Sequence, residues 1–269
     1  MPNYICARCG VQFAPTQEPP KRCPICEDER ECVNRQGQVW TTLDALRVGH
    51  HNVITPLEPR LAGIRTEPAF AIGQQALLAR APGGNVLWDC ISLIDEATVA
   101  AVQALGGIAA IALSHPHLHG SMVEWSHAFD QASIYVHAAD RKWVMRPDPA
   151  IVFWEGETHT IDTGLTLIRC GGHFEGSTIL HWVAGAGGRG ALLTGGTIAA
   201  VEDRRYVSFM YSYPNLIPLS ASAVRRIVEA VEPFDYDRIY GGWWDEVVPS
   251  DAKAAVARSA ARYLRAIGA

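Results

Sequence analysis

Two groups of side chains in this 269-residue chain have the types and spacing that metal chemistry needs. The first is Cys6-x-x-Cys9 followed by Cys23-x-x-Cys26. Each short knuckle turns two thiolates toward one point, and two such knuckles make a tetrahedral four-sulfur site suited to zinc. A segment this short buries too little apolar surface to fold alone, so bound metal would supply most of its folding free energy. The second group is Ser114-His115-Pro116-His117-Leu118-His119-Gly120, entered from the apolar run 108–113. Histidines one residue apart at the mouth of a strand can aim both imidazoles at one cation.

The rest of the chain must position these groups. At 48% hydrophobic it has material for one large core. Apolar or β-rich runs at 70–72, 76–79, 85–88, 108–113, 134–137, 151–154, 166–170, 179–183 and 191–194 predict strands. Glycine-rich turns at 82–84 and 185–190 read as hairpin connections. Apolar spacing predicts helices over 95–105, 220–231 and 251–267, the first ending at Gly106-Gly107. The glycines at 185–190 sit between strands rather than before a helix, which speaks against a nucleotide-binding loop.

A net charge of −5 without long Lys/Arg runs argues against nucleic acid and anionic membrane as partners. No apolar run approaches the roughly 20 residues that span a bilayer. No basic-then-apolar leader opens the chain, and a cytoplasmic location is expected. Seven cysteines, four of them paired in Cys-x-x-Cys spacing, suit metal ligation in a reducing compartment. Cys32, Cys90 and Cys170 are left over and read as small buried apolar residues.

The histidine stretch resembles the His-x-His-x-Asp-His signature of the metallo-β-lactamase fold superfamily, mostly zinc or iron hydrolases with a few oxidoreductases. His115 and His117 match its first two histidines, whereas His119 stands in the aspartate's place and Gly120 in the last histidine's. Val86-Leu-Trp-Asp89 resembles the family's first motif, in which Asp89 either supports the metal site from behind or caps the strand end. Cys170-Gly-Gly-His173-Phe-Glu-Gly176-Ser177 is similar to the third motif, whose glycine-flanked histidine closes the first metal site. The fourth motif's bridging aspartate is replaced by Gly196, and Trp243 stands near the place of the final histidine. The resemblance covers residues 37–269 and implies an α/β fold, a four-layer αββα sandwich, with a separate knuckle over 1–36. That knuckle resembles a zinc ribbon and the knuckles of rubredoxin. Rubredoxins carry a longer, aromatic-rich segment between the pairs, and residues 17–22 contain no aromatic, which favours zinc over iron.

The resemblance thus implies one metal held by His115, His117 and His173, and a second site that lacks its aspartate, its bridge and its two histidines. Three neutral imidazoles with an open fourth position match the arrangement that lowers the pKa of bound water to about 7. The leading expectation is a mononuclear zinc hydrolase acting on an ester, thioester, lactone or amide through metal-bound hydroxide, with one zinc in each site. Loss of the second-site ligands motivates an alternative, a catalytically silent binding or assembly module. Iron in the four-cysteine site would give a third, redox reading. The partner is then a small-molecule substrate or a protein, and an oligomer is compatible with either.

His119 reads as a polar pocket wall or hydrogen-bond partner. The remaining histidines lack partners at ligand spacing: His127 reads as exposed, and His137 and His181 as hydrogen-bonded core residues. Glu175, Glu202 and Asp203 are the nearest acidic residues that could complete the site. Phe209, Tyr211, Tyr213, Trp243 and Trp244 form either an apolar substrate wall or core and interface.

Overall fold

The computed structural model describes residues 1–269. Two sheets carry the molecule. The first has seven strands in the order His51–Glu58, Leu61–Glu67, Gln75–Ala79, Val86–Trp88, Ala110–Ala112, Ser133–His137 and Ile151–Trp154. Its first four strands are antiparallel neighbours and its last four run parallel. The second has six, Thr158–Asp162, Leu165–Arg169, Thr178–Trp182, Ala191–Gly195, Arg238–Gly241 and Val247–Val248, with one parallel pair between Ala191–Gly195 and Arg238–Gly241.

Strand side chains alternate between two faces, and that alternation builds the layers. Leu77, Trp88 and Ala112 of the first sheet meet Leu167, Leu180, Trp182 and Leu193 of the second in a buried central layer. Their neighbours in sequence point outward. Leu78, Leu87 and Ile111 pack under Val102, Val123 and Trp125 of the helices Glu96–Ala104 and Met122–Ala128. Ile168, Ile179 and Leu192 pack under Val224, Ile227 and Val256 of Ala221–Val231 and Ala252–Ala266. The result is the expected four-layer αββα sandwich. Truncating any one of the buried leucines or isoleucines among them to alanine would cost about 2–5 kcal/mol.

The parallel pairs require crossover helices, and the chain starts them where the side chains permit. Asp95 caps Glu96–Ala104 by accepting from Thr98 N, and Ser220 caps Ala221–Val231 by accepting from Ala223 N. Both glycine-rich turns join antiparallel neighbours, as hairpins do. The strand predicted at 70–72 does not form. Ala71 adopts φ 55° and Gly73 N bonds Phe70 O, so the segment turns. The hairpin of His51–Glu58 with Leu61–Glu67 was not foreseen, because Pro56 interrupts its pattern; the proline is tolerated because His51–Glu58 is an edge strand.

The amino-terminal segment is bound to the sandwich at several points. Tyr4–Cys6 pairs antiparallel with Trp40–Thr42. Gln12 N donates to Gly120 O at 3.0 Å, Ala14 N to Met145 O at 3.1 Å, and Ser92 Oγ to Gly10 O at 2.7 Å. No helix is long and apolar enough to cross a membrane.

Candidate metal centre

Val86–Trp88 and Ala110–Ala112 are adjacent parallel strands, so their carboxyl ends open side by side. Asp89 leaves the first and Ser114-His115 the second. Asp89 adopts φ 61°, turning its carboxylate back into the protein, where it is 1% exposed. There Ser114 N donates to Oδ1 at 2.7 Å and Ser114 Oγ donates to Oδ2 at 3.0 Å. The same hydroxyl lies 2.8 Å from His115 Nδ1. With its proton committed to the carboxylate, Oγ accepts from Nδ1–H, and Nε2 of His115 keeps its lone pair. Asp89 therefore acts on His115 through Ser114, and the carboxylate itself does not join the histidine cluster. Burial raises the Asp89 carboxyl above the ordinary carboxylate range, and the two bonds from Ser114, which favour the ionised form, oppose that rise.

His117 follows on the short helical turn Pro116–Leu118. His173 arrives from the second sheet, past Leu165–Arg169, across Gly171 and Gly172 at φ 68° and 85°. Its Nδ1 lies 2.7 Å from Tyr211 O. A carbonyl only accepts, so Nδ1 carries the proton and the lone pair is on Nε2. That Nε2 faces His117 Nδ1 at 3.2 Å. One ring nitrogen from each of His115, His117 and His173 falls within 4.8 Å of the others. Burial pushes His115 and His117 well below the ordinary histidine range and His173 to about 4, so all three are neutral bases at pH 7. His117 Nε2 has no hydrogen-bond partner.

The donor sets fit divalent metal. Ligands at about 2.0–2.1 Å on a tetrahedron stand about 3.3–3.4 Å apart, and sulfurs at about 2.3 Å stand about 3.8 Å apart. The observed 3.2 Å between His173 Nε2 and His117 Nδ1 is close to the first of these. Among the cysteines, Cys6 and Cys26 sulfurs are 3.5 Å apart and Cys9 and Cys23 sulfurs 3.7 Å, all four buried. Gln38 Nε2 donates to Cys6 Sγ at 3.2 Å, a contact that favours a thiolate.

The two glycines that stand where the resemblance assigns second-site ligands are crowded. A Cβ on Gly196 would sit 2.9 Å from Cε1 and 3.2 Å from Nε2 of His115. Gly120 has φ 49°, and a Cβ there would sit 2.7 Å from Ile91 O. Neither position accepts a ligand side chain. His119 is 1% exposed and lies outside the three-histidine cluster, with Nδ1 unpartnered and its pKa lowered by burial to about 4. Trp243 donates from Nε1 to Ile72 O at 2.8 Å.

Phe174, directly after His173, places its ring 5.0 Å from the rings of His117 and His173 and 5.9 Å from that of His115. Tyr213 stands 5.7 Å from the His173 ring and donates to Gly196 O at 2.6 Å. The histidines themselves are 1–4% exposed. A surface pocket of about 670 Å³ lined by Ile54, Leu57, Leu61 and Leu105 is lined by none of them.

No family model matches the chain. The uncharacterized protein YmaE of Bacillus subtilis (strain 168) is 51% identical over 269 residues, which takes in 99% of this chain and 97% of YmaE. The chain belongs to the family of YmaE. Its fold is that of the metallo-β-lactamases. VMB-1 superposes with a TM-score of 0.60 at 14% identity, over 81% of this chain and 99% of that one. The metallo-β-lactamase DIM-1 gives 0.59 at 13% identity over 80% and 98%. FIM-1 of Pseudomonas aeruginosa, solved in a mono-zinc form, gives 0.57 at 13% identity over 78% and 95%.

Of the residues singled out from sequence, His115, His117 and His173 meet in one cluster and Cys6, Cys9, Cys23 and Cys26 in another. Glu175 and Glu202 are exposed, and Asp203, at intermediate exposure, pairs with Arg205. His137 and His181 bond the carbonyls of Gly156 and Asp235 as core histidines do, and His127 is exposed beside Asp148. Cys90 and Cys170 are buried, whereas Cys32 is half-buried and accepts from Arg8 at 3.3 Å. The aromatic group divides: Phe209 is core against Tyr263, Trp244 lies under Arg65, and Tyr213 flanks the histidines. Sequence reasoning missed Ser114, although its place before His115 at a strand end beside Asp89 was a readable signal. Arg30 had none, since its role depends on a contact 143 residues distant in sequence, and Tyr211, read from sequence as part of an aromatic group, acts through its carbonyl, which no residue type signals.

Proposed function

We propose that the protein is a mononuclear zinc-dependent hydrolase of the ester, thioester, lactone or amide class, with a second, structural zinc in the four-cysteine knuckle. The observation that carries this reading is the convergence of three neutral ring nitrogens, two of them with the opposite nitrogen engaged by Ser114 or by Tyr211 O. His115, His117 and His173 would hold the ion, which as a Lewis acid supplies an activated water at neutral pH. The protein's own part is orientation. Asp89 and Ser114 set the tautomer of His115, Tyr211 O sets that of His173, and Phe174 keeps the inner side of the cluster dry. One ion rather than two is supported by the closed positions at Gly120 and Gly196. Seven unpaired cysteines support a reducing compartment, the cytoplasm.

Burial of the histidines to 1–4% exposure favours a second reading, in which the fold binds or assembles and does not turn over substrate. Metal analysis together with a panel of ester, lactone, thioester and amide substrates separates the two. Two zinc ions per chain, with turnover abolished in His173→Ala, is the expected result. Turnover that persists in His173→Ala would overturn the hydrolytic mechanism, and two zinc ions without turnover on any class would favour the binding module.

A further inference from the structure

The four-cysteine knuckle and the three-histidine cluster are far apart in sequence but joined by one short strand of contacts. Residues 28–31 leave the knuckle two positions after Cys26 and lie on residues 210–215 and 173–174. Arg30 is the centre of this contact. Asp28 grips its guanidinium from two sides, Oδ1 to Nε at 2.5 Å and Oδ2 to Nη2 at 2.8 Å. The remaining Nη1 donates to His173 O at 3.2 Å. The guanidinium carbon stands 4.0 Å from the centroid of the Phe174 ring, and 5.5 Å from those of Trp143 and Tyr211. Both Arg30 and Asp28 side chains are largely buried, at 14% and 16% exposed.

The flanking residues close the same seam. Tyr211 Oη donates to Glu29 Oε1 at 2.5 Å, Ser212 Oγ to Arg30 O at 3.1 Å, and Asn215 Nδ2 to Glu29 O at 3.0 Å and Glu31 O at 3.1 Å. Tyr211 is the residue whose carbonyl holds His173 Nδ1. Arg30 and its neighbours thus touch His173 by two routes, through its own carbonyl and through Tyr211.

We propose that Arg30 is a positioning residue through which the metal-loaded knuckle holds His173 in place and keeps the three-histidine site closed. The chemistry supports this role. A planar guanidinium can satisfy a carboxylate bidentately, donate to a carbonyl and stack on an aromatic face at once. Because residues 28–31 have no helix or strand of their own, their position depends on the knuckle, and loss of its metal releases Arg30 and uncovers the histidines. The inference rests on the metal site proposed above only for its metal-release readout.

The experiment uses full-length protein loaded with cobalt, in which sulfur-to-metal charge-transfer absorption reports the knuckle and release to a chelator reports the histidine site. Arg30→Ala is expected to keep the knuckle absorption while the other ion leaves at least about tenfold faster, as loss of one charge-assisted hydrogen bond implies. Arg30→Lys, which retains the cation and a donor, should fall between the two. Equal release rates in all three proteins would overturn the proposal. Hydrogen exchange gives an arm that needs no ion at the histidines: amides of residues 173–177 and 210–215 should exchange faster in Arg30→Ala and in Cys26→Ser. Unchanged exchange there would overturn it equally, whereas a wild-type protein with one ion per chain would count against the metal site alone. Should Arg30→Ala fail to fold, Asp28→Asn loosens the same guanidinium and is read in the same way.

Discussion

Gly196 lies against the edge of His115, so close that a Cβ at position 196 would stand 2.9 Å from the imidazole Cε1. The resemblance to the metallo-β-lactamase motifs assigns a bridging aspartate to this position, and here it is a glycine packed against the histidine ring. A Cβ at Gly120 would likewise stand 2.7 Å from Ile91 O, and Gln12 N of the amino-terminal segment donates to Gly120 O, so both positions are crowded against a larger residue.

Gly196→Asp is therefore expected not to create a two-metal site. The new side chain should displace His115, costing about 1–3 kcal/mol by overpacking and lowering the metal content by one ion per chain. Elemental analysis and thermal unfolding of the variant check this, and a gain of metal would refute it.

Ser114→Ala removes the link between Asp89 and His115 while leaving both residues in place. Loss of such an orienting contact lowers metal affinity about 10–100-fold. Competition with a chromogenic chelator measures it. Asp89→Ala should also destabilise the fold by about 1–3 kcal/mol, because Ser114 N–H is left buried without an acceptor.

Asp140 is 2% exposed and accepts from Gly176 N, and burial raises its carboxyl to about 6. The unfolded chain releases this proton near 3.8, the folded one only near 6, so the folded state binds more protons in between. Its contribution is fully present below pH 3.8 and lost as the pH rises through about 6. Asp140→Asn should consequently gain on the wild type by an amount on the order of 2–3 kcal/mol between pH 4 and pH 7. Urea unfolding of both proteins across that range tests it, a constant difference being the contrary result.

Cys6→Ser should lose one ion and His115→Ala another, each leaving its counterpart site loaded under excess metal. His119→Ala should lose none, since that imidazole stands outside the cluster. Metal counts on the three purified variants decide the matter, and a deficit in His119→Ala would place that residue among the ligands.

Much of this protein was legible one-dimensionally. Paired Cys-x-x-Cys spacing and His-x-His at a strand mouth are local patterns, because two ligands within three residues share a turn whatever surrounds them. The strand alternation that separates Leu192 from Leu193 into different layers is local too, being a consequence of the pleat. From these patterns came the two candidate ligand sets, while the four-layer sandwich and the expectation of a single metal at the histidines came from the resemblance of the motifs to the metallo-β-lactamase fold.

What only the tertiary structure decided is how those ligands are held and who can reach them. Ser114 acquires its role because two parallel strands end side by side, and Arg30 because a knuckle near one terminus folds onto a loop some 180 residues away. Such contacts follow from chain packing, which no residue spacing encodes. The sequence by itself determined which side chains could bind metal; the fold determined that Ser114 and Tyr211 O hold two of the histidines and that residues 28–31 pack on His173 and Phe174.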